Sequence, residues 1–171
     1  LEIALKNIDV AFYMIHSLGT SEEKFEKLEK ICAENFSIAA KKNNLKRIVY
    51  LGGIIAKNEE KNLSSHMRSR LQVGDILRNS GIQVITLRAS IIIGSGSLSF
   101  EICRALCERL PLMIVPKWVR IEAQPVAIKD VIAYLTQSIE LETKTSFIFD
   151  IGCPKNAAQP IYTIFFDMTT F

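Results

Sequence analysis

The sequence predicts an α/β protein whose parallel, doubly wound sheet lies between layers of helices. Three observations predict it. Short apolar runs alternate with segments of helical period, the order β-α-β-α-β. The runs are nearly continuous rather than alternating, as strands covered on both faces require. Cap and turn residues stand at most of the junctions between them.

The first strand is expected at residues 8–16, an apolar run ending in His16-Ser17. A helix follows: Thr20 with Glu23 makes a capping box, and Lys41 and Lys42 suit the negative end of the helix dipole. Phe25, Leu28, Cys32, Phe36 and Ala39 recur at helical spacing and form its expected apolar face. Asn43 and Asn44 tolerate the left-handed conformation that ends helices. Residues 47–51 form a second buried strand, closed by Gly52-Gly53. Residues 56–63 are polar and read as a loop. Ser64 or Ser65 then caps a helix carrying Met67, Leu71, Ile76 and Leu77, stopped by Asn79-Ser80-Gly81.

A Val- and Ile-rich strand region is expected at residues 83–93. Gly94-Ser95-Gly96-Ser97 follows, and then a helix over residues 99–109. Short strands are expected at 112–115 and 126–128, with Asp130 capping a helix that runs to Ile139. The last clear strand spans residues 147–151 and stops at Gly152 and Pro154. Residues 156–171 are apolar without a clean period.

Composition excludes several classes. The 171 residues are 49% hydrophobic with a net charge of +3, which does not describe a disordered chain. A chain of this size buries roughly 70% of its unfolded surface without staples. No apolar window reaches the ~18 residues of a membrane span. The four Cys (Cys32, Cys103, Cys107, Cys153) are scattered, so reduced thiols and a cytoplasmic location are expected. The Cys103/Cys107 pair has no third and fourth ligand nearby, and no metal site is expected. Charge is uneven: residues 61–120 carry +6 and residues 121–171 carry −3. A basic middle suits a phosphate-bearing ligand. Its cations are too dispersed for a nucleic-acid footprint, and no nucleic-acid partner is expected.

Five features carry candidate chemistry, each with more than one reading. His16-Ser17 ends a buried strand, where open parallel sheets bind ligands; the alternative is a packed, hydrogen-bonded histidine. Gly52-Gly53 ends the next strand and gives a tight turn or room for a ligand's flat face. His66 and Arg70 are one helical turn apart and share a face, a proton-handling pair or a solvated surface. Gly94-Ser95-Gly96-Ser97 follows a strand and opens a helix, a phosphate cradle or simply a turn. Arg88, near the end of a buried strand, needs a carboxylate or a bound anion.

Several stretches in this order resemble the short-chain dehydrogenase/reductase (SDR) superfamily, in its atypical NmrA-like, NAD-dependent epimerase/dehydratase-like branch. They are residues 9–16 (DVAFYMIH), 46–53 (KRIVYLGG), 65–70 (SHMRSR), 87–90 (LRAS), 94–101 (GSGSLSFE), 124–130 (QPVAIKD) and 149–152 (FDIG). The resemblance implies a Rossmann-like fold, with residues 1–155 as the C-terminal part of an NAD(P)-binding domain and about 94–155 as its substrate-side segment. Residues 156–171 are a tail outside it. The family's Gly-rich phosphate loop would precede Leu1. NAD or NADP would bind at the carboxyl edge of the sheet, facing His16, Ser17, Gly52, Gly53, Arg70, Ala89 and Ser90. Ser95, Gly96 and Ser97 would lie nearer an unknown small-molecule substrate.

Where the superfamily carries Tyr-x-x-x-Lys, this chain has His66-x-x-x-Arg70, and the usual catalytic Ser is Gly52 or Gly53. The resemblance therefore implies either an atypical oxidoreductase, with His66 as proton donor and Arg70 on the ribose, or a module that binds nucleotide without turnover. A truncated, inactive product is a third reading, and an oligomer is left open.

Overall fold

The computed structural model describes residues 1–16, 22–54, 63–94, 101, 104–105, 109, 122–152 and 159–160. They divide between two units. One comprises Leu1–Arg88 with Leu135–Asp150, and the other Ala89–Tyr134 with Ile151–Phe171.

The first unit is built on a four-stranded parallel sheet with flanking helices, the Rossmann-like arrangement expected. Its strands are β1 (Val10–Tyr13), β2 (Arg47–Gly53), β3 (Gln83–Ala89) and β7 (Phe147–Ile151), in the order β1-β2-β3-β7. Strand β1 pairs in parallel with β2, from Val10 opposite Arg47 to Tyr13 opposite Tyr50. Ile48, Val49 and Tyr50 are buried in succession, as are Val84 to Leu87, so these central strands are covered on both faces. The expected first strand is shorter than its apolar run, and only one face is covered. Tyr13 packs edge-on against Phe36 and Tyr50, whereas Phe12, on the opposite face, stays exposed.

Helix α1 (Glu22–Lys42) ends in a Schellman motif: Leu45 N–H donates to the Ala40 carbonyl and Asn44 N–H to that of Lys41. Asn44 takes the left-handed conformation there, φ 56°. Its expected apolar face needs correction. Phe25, Phe36 and Ala39 are buried as expected and Cys32 is half-buried, but Leu28 turns outward and Glu29, Ala33 and Ala40 join the buried stripe. Helix α2 (Ser65–Arg78) starts at Ser64, whose hydroxyl accepts from the Met67 N–H at 3.3 Å. Gly81 follows its end with φ 80°. Helices α1 and α2 pack together, and α2 packs on β2. Between them and the sheet lies a core that includes Tyr13, Phe36, Ile48, Tyr50, Val73, Leu77 and Val84.

The expected strand over 83–93 is two strands. It breaks at Ser90, and β4 (Ile91–Ile93) joins a different sheet, parallel with β6 (Pro125–Ala127), in the second unit. There β5 (Glu122–Ala123) pairs antiparallel with β8 (Gln159–Pro160). Helix α3 (Ile128–Glu140) begins two residues before Asp130, which therefore sits in its first turn rather than capping it. Arg88 takes the carboxylate option, bonded to Asp150 at 2.6 and 2.9 Å. Of the helix expected at 99–109, Glu101, Arg104, Ala105 and Arg109 are described and helical. Thr20, most of the 56–63 loop, the strand at 112–115, Cys103, Cys107, Cys153 and all of the tail except β8 lie outside the described residues.

Candidate functional site

The carboxyl ends of β1 and β2 lie side by side because the two strands are parallel and in register. His16 follows β1 by three residues, and Gly52 and Gly53 close β2. The first turns of α2 bring the other half of the site. His66 meets His16 with ring centroids 4.9 Å apart and interplanar angle 66°. Phe25 of α1 completes an aromatic cluster, stacked on His66 at 5.8 Å and edge-on to His16 at 5.6 Å.

Beneath the two imidazoles lies a carboxylate that the sequence did not announce. Glu29 is 1% exposed. Its Oε1 lies 2.8 Å from His16 Nδ1, and its Oε2 accepts from the Ser69 hydroxyl at 2.6 Å. Ser69 is itself buried, one turn beyond His66 on the same face of α2. The one sequence signal for Glu29 was its register. It stands four residues from both Phe25 and Ala33, inside the apolar stripe, where a charge needs partners.

Arg70 occupies the next position on that face. It lines a crevice with Tyr50, Gly52, Gly53, Thr86 and Arg88. The crevice is only about 30 Å³, far below the few hundred of a ligand pocket. Tyr50 donates to the Arg70 carbonyl at 3.0 Å, which anchors α2 over β2. A Cβ on Gly53 would come within 2.8 Å of Met67 Cε, so the Met67 thioether end occupies the space beside Gly53.

Electrostatics separates these groups. Partial burial of its ring, then the neighbouring His16 and Arg70, hold the His66 imidazole below its usual pKa, and Glu29 opposes them. The residue as a whole still faces solvent. His66 is therefore mainly neutral at neutral pH, able to donate from one ring nitrogen and accept at the other. Burial raises the Tyr50 phenol and Arg70 opposes that rise. Tyr13 is raised too, chiefly by burial and then by Cys32 and Glu29. Neither phenol ionises near neutral pH.

The structure thus brings together His16, Glu29, His66 and Ser69, and sets Arg70 beside Gly52 and Gly53. Ala89 is the buried last residue of β3, and Ser90 the exposed residue after it. Ser17, Ser95, Gly96 and Ser97 lie outside the described residues.

No protein-family model and no curated protein matches the chain by sequence. Solved structures do match in three dimensions. MoeE5 in complex with UDP-glucuronic acid and NAD superposes with TM-score 0.81 at 15% identity, over 99% of this chain and 65% of that one. UDP-glucuronic acid 4-epimerase from Bacillus cereus, in complex with NAD, gives 0.78 at 14%, over 99% and 62%. The Bordetella bronchiseptica enzyme WbmG, in complex with NAD, gives 0.75 at 12%, over 95% and 56%. The chain has the Rossmann-like fold of these proteins. It spans less than two thirds of each of them. These neighbours bear out the Rossmann-like fold that the sequence resemblance implied.

The donor set fits a dinucleotide in part. Arg70 offers a fork of donors suited to a ribose hydroxyl or a phosphate, and one imidazole follows β1 while the other meets it from α2. The paired glycines fit less well as a flat cradle, because Met67 fills the side-chain space at Gly53. Among the described residues no helix is long and apolar enough to cross a membrane, and no cluster of three metal-ligating side chains occurs.

Proposed function

We propose that this protein is an atypical NAD(P)-binding oxidoreductase of the NmrA-like SDR branch, acting in the cytoplasm. The dinucleotide lies along the carboxyl edge of β1, β2 and β3. His16, Gly52, Gly53 and Arg70 face it. Bound NAD(P) supplies or accepts a hydride. Arg70 holds the nicotinamide ribose, and His66 exchanges a proton with the substrate oxygen.

One observation carries this reading: His66 and His16 meet at 4.9 Å beside the ends of adjacent parallel strands, with Arg70 one turn on beside the paired glycines. The NAD held by proteins of the same fold supports it. The test is titration of the full chain with NADH and with NADPH, followed by a screen of carbonyl compounds and UDP-sugars. Dinucleotide binding is expected. Arg70→Ala should weaken it by roughly tenfold or more, the loss of one or two charge-assisted hydrogen bonds. His66→Ala should leave binding in place and cut turnover by about 10²-fold or more. Absence of binding to either dinucleotide overturns the reading.

A second reading is a nucleotide-sensing or assembly module without turnover. The packing of Met67 beside Gly53 favours it, because the side-chain space there is filled by a thioether, which exchanges no proton. Binding without turnover across the same screen would select it.

A further inference from the structure

Glu29 plays no part in the roles given above, yet it is among the most buried charged residues described and both its oxygens are engaged. We propose that Glu29, held by Ser69, is a positioning residue that fixes His16 with its proton on Nδ1 and leaves Nε2 as a proton-accepting atom at the sheet edge.

The geometry carries this. The Ser69 hydroxyl donates to one oxygen of Glu29 at 2.6 Å, the other oxygen faces His16 Nδ1 at 2.8 Å, and of the two groups the carboxyl is intrinsically the stronger acid. An ionised carboxylate has no proton to give, so the short contact requires Nδ1–H. A neutral imidazole with Nδ1 protonated has a bare Nε2. The carboxylate is out of water and cannot swing away, since Ser69 holds its second oxygen. Phe25 and His66 pack against the His16 ring and restrict its rotation. The same logic orients histidines beside buried carboxylates in hydrolases and at metal centres. It divides the two imidazoles by role: His16, bonded to Glu29, accepts, while His66, which among the described residues meets His16 and Phe25 through its ring, is left to exchange protons.

The use of that acceptor, a ribose or substrate hydroxyl donating to His16 Nε2, rests on the proposed nucleotide site. The fixed tautomer does not. Nitrogen-15 NMR of the full chain, without ligand, at a pH where His16 is neutral, reads it directly. The expected spectrum shows a pyrrole-like Nδ1 and a pyridine-like Nε2 for His16. Glu29→Met, apolar and of similar length, should lose that signature and return His16 toward the Nε2–H form that free histidine prefers. Ser69→Ala should keep it in part. A wild-type His16 in the Nε2–H form overturns the proposal, and that spectrum needs no variant to fold. A folded Glu29→Met protein with an unchanged spectrum also overturns it. Titrating the same sample with NADH separates the two ideas. A fixed tautomer without nucleotide binding keeps the dyad and removes the cofactor reading, and binding with an unfixed tautomer does the reverse.

Discussion

At the scale of single residues, the site is a set of groups whose neighbours fix their protons. His66 shows the consequence most plainly. In the unfolded chain it titrates near 6.5, and folding lowers that value through partial burial, His16 and Arg70. Just below pH 6.5 the unfolded state therefore binds more protons than the folded one. The stability linked to His66 is whole above that pH and is lost as the pH falls toward the folded value. Urea melts at about pH 7.5 and about pH 5.5 should show the wild type losing more stability on acidification than His66→Gln. Equal losses would mean that His66 is not held low. His16, His66 and Arg70 were legible as residues because a strand end and a four-residue spacing are local patterns. Glu29 and Ser69 were not. A Glu at helical spacing among apolar residues has the same local pattern whether it meets solvent or a histidine from another element.

At the scale of elements, side chains from distant segments finish what local signals begin. Arg47, at the start of β2, donates to the Ser138, Ile139 and Leu141 carbonyls at 2.6–2.8 Å, at the end of α3, and to Gln83 Oε1 of β3 at 2.7 Å. One guanidinium thus satisfies orphan carbonyls at a helix end that carries no basic residue of its own in its last turn. Arg47→Ala should cost about 2 kcal/mol, lowering Tm by roughly 4–8 °C in calorimetry. Arg47→Lys should recover only a minor part, because an ammonium cannot span these carbonyls as the planar fork does. A change below about 0.5 kcal/mol would show that water caps the helix equally well. The element types were mostly legible from period and caps, with Ser64 and Asn44 falling where a cap and a left-handed stop were expected. The break at Ser90 was not, since residues 83–93 read as one Val- and Ile-rich strand region and the change of sheet depends on which partner each half meets.

At the scale of the whole molecule, burial is unequal across the sheet. Residues 48–50 and 84–87 are buried on both faces, whereas Phe12 of β1 and Phe147, Ile148 and Phe149 of β7 stay exposed. Hydrogen exchange should therefore be slowest at amides 48–50 and 84–87, close to the global unfolding limit, and markedly faster in β1 and β7. Uniform protection across the four strands would contradict that ranking.

By itself the sequence determined the alternation of strands and helices, the parallel central strands and the stretches that lie at their carboxyl ends. Those follow from period, apolar run length and caps, which act between near neighbours in the chain. Only the tertiary structure decided that Glu29 sits under His16, that Ser69 holds it there, that Met67 fills the space beside Gly53 and that Arg88 answers Asp150. Each of those contacts joins residues 13 to 62 positions apart. A hydrogen bond or a packed side chain is set by distance in space, and no local pattern encodes it.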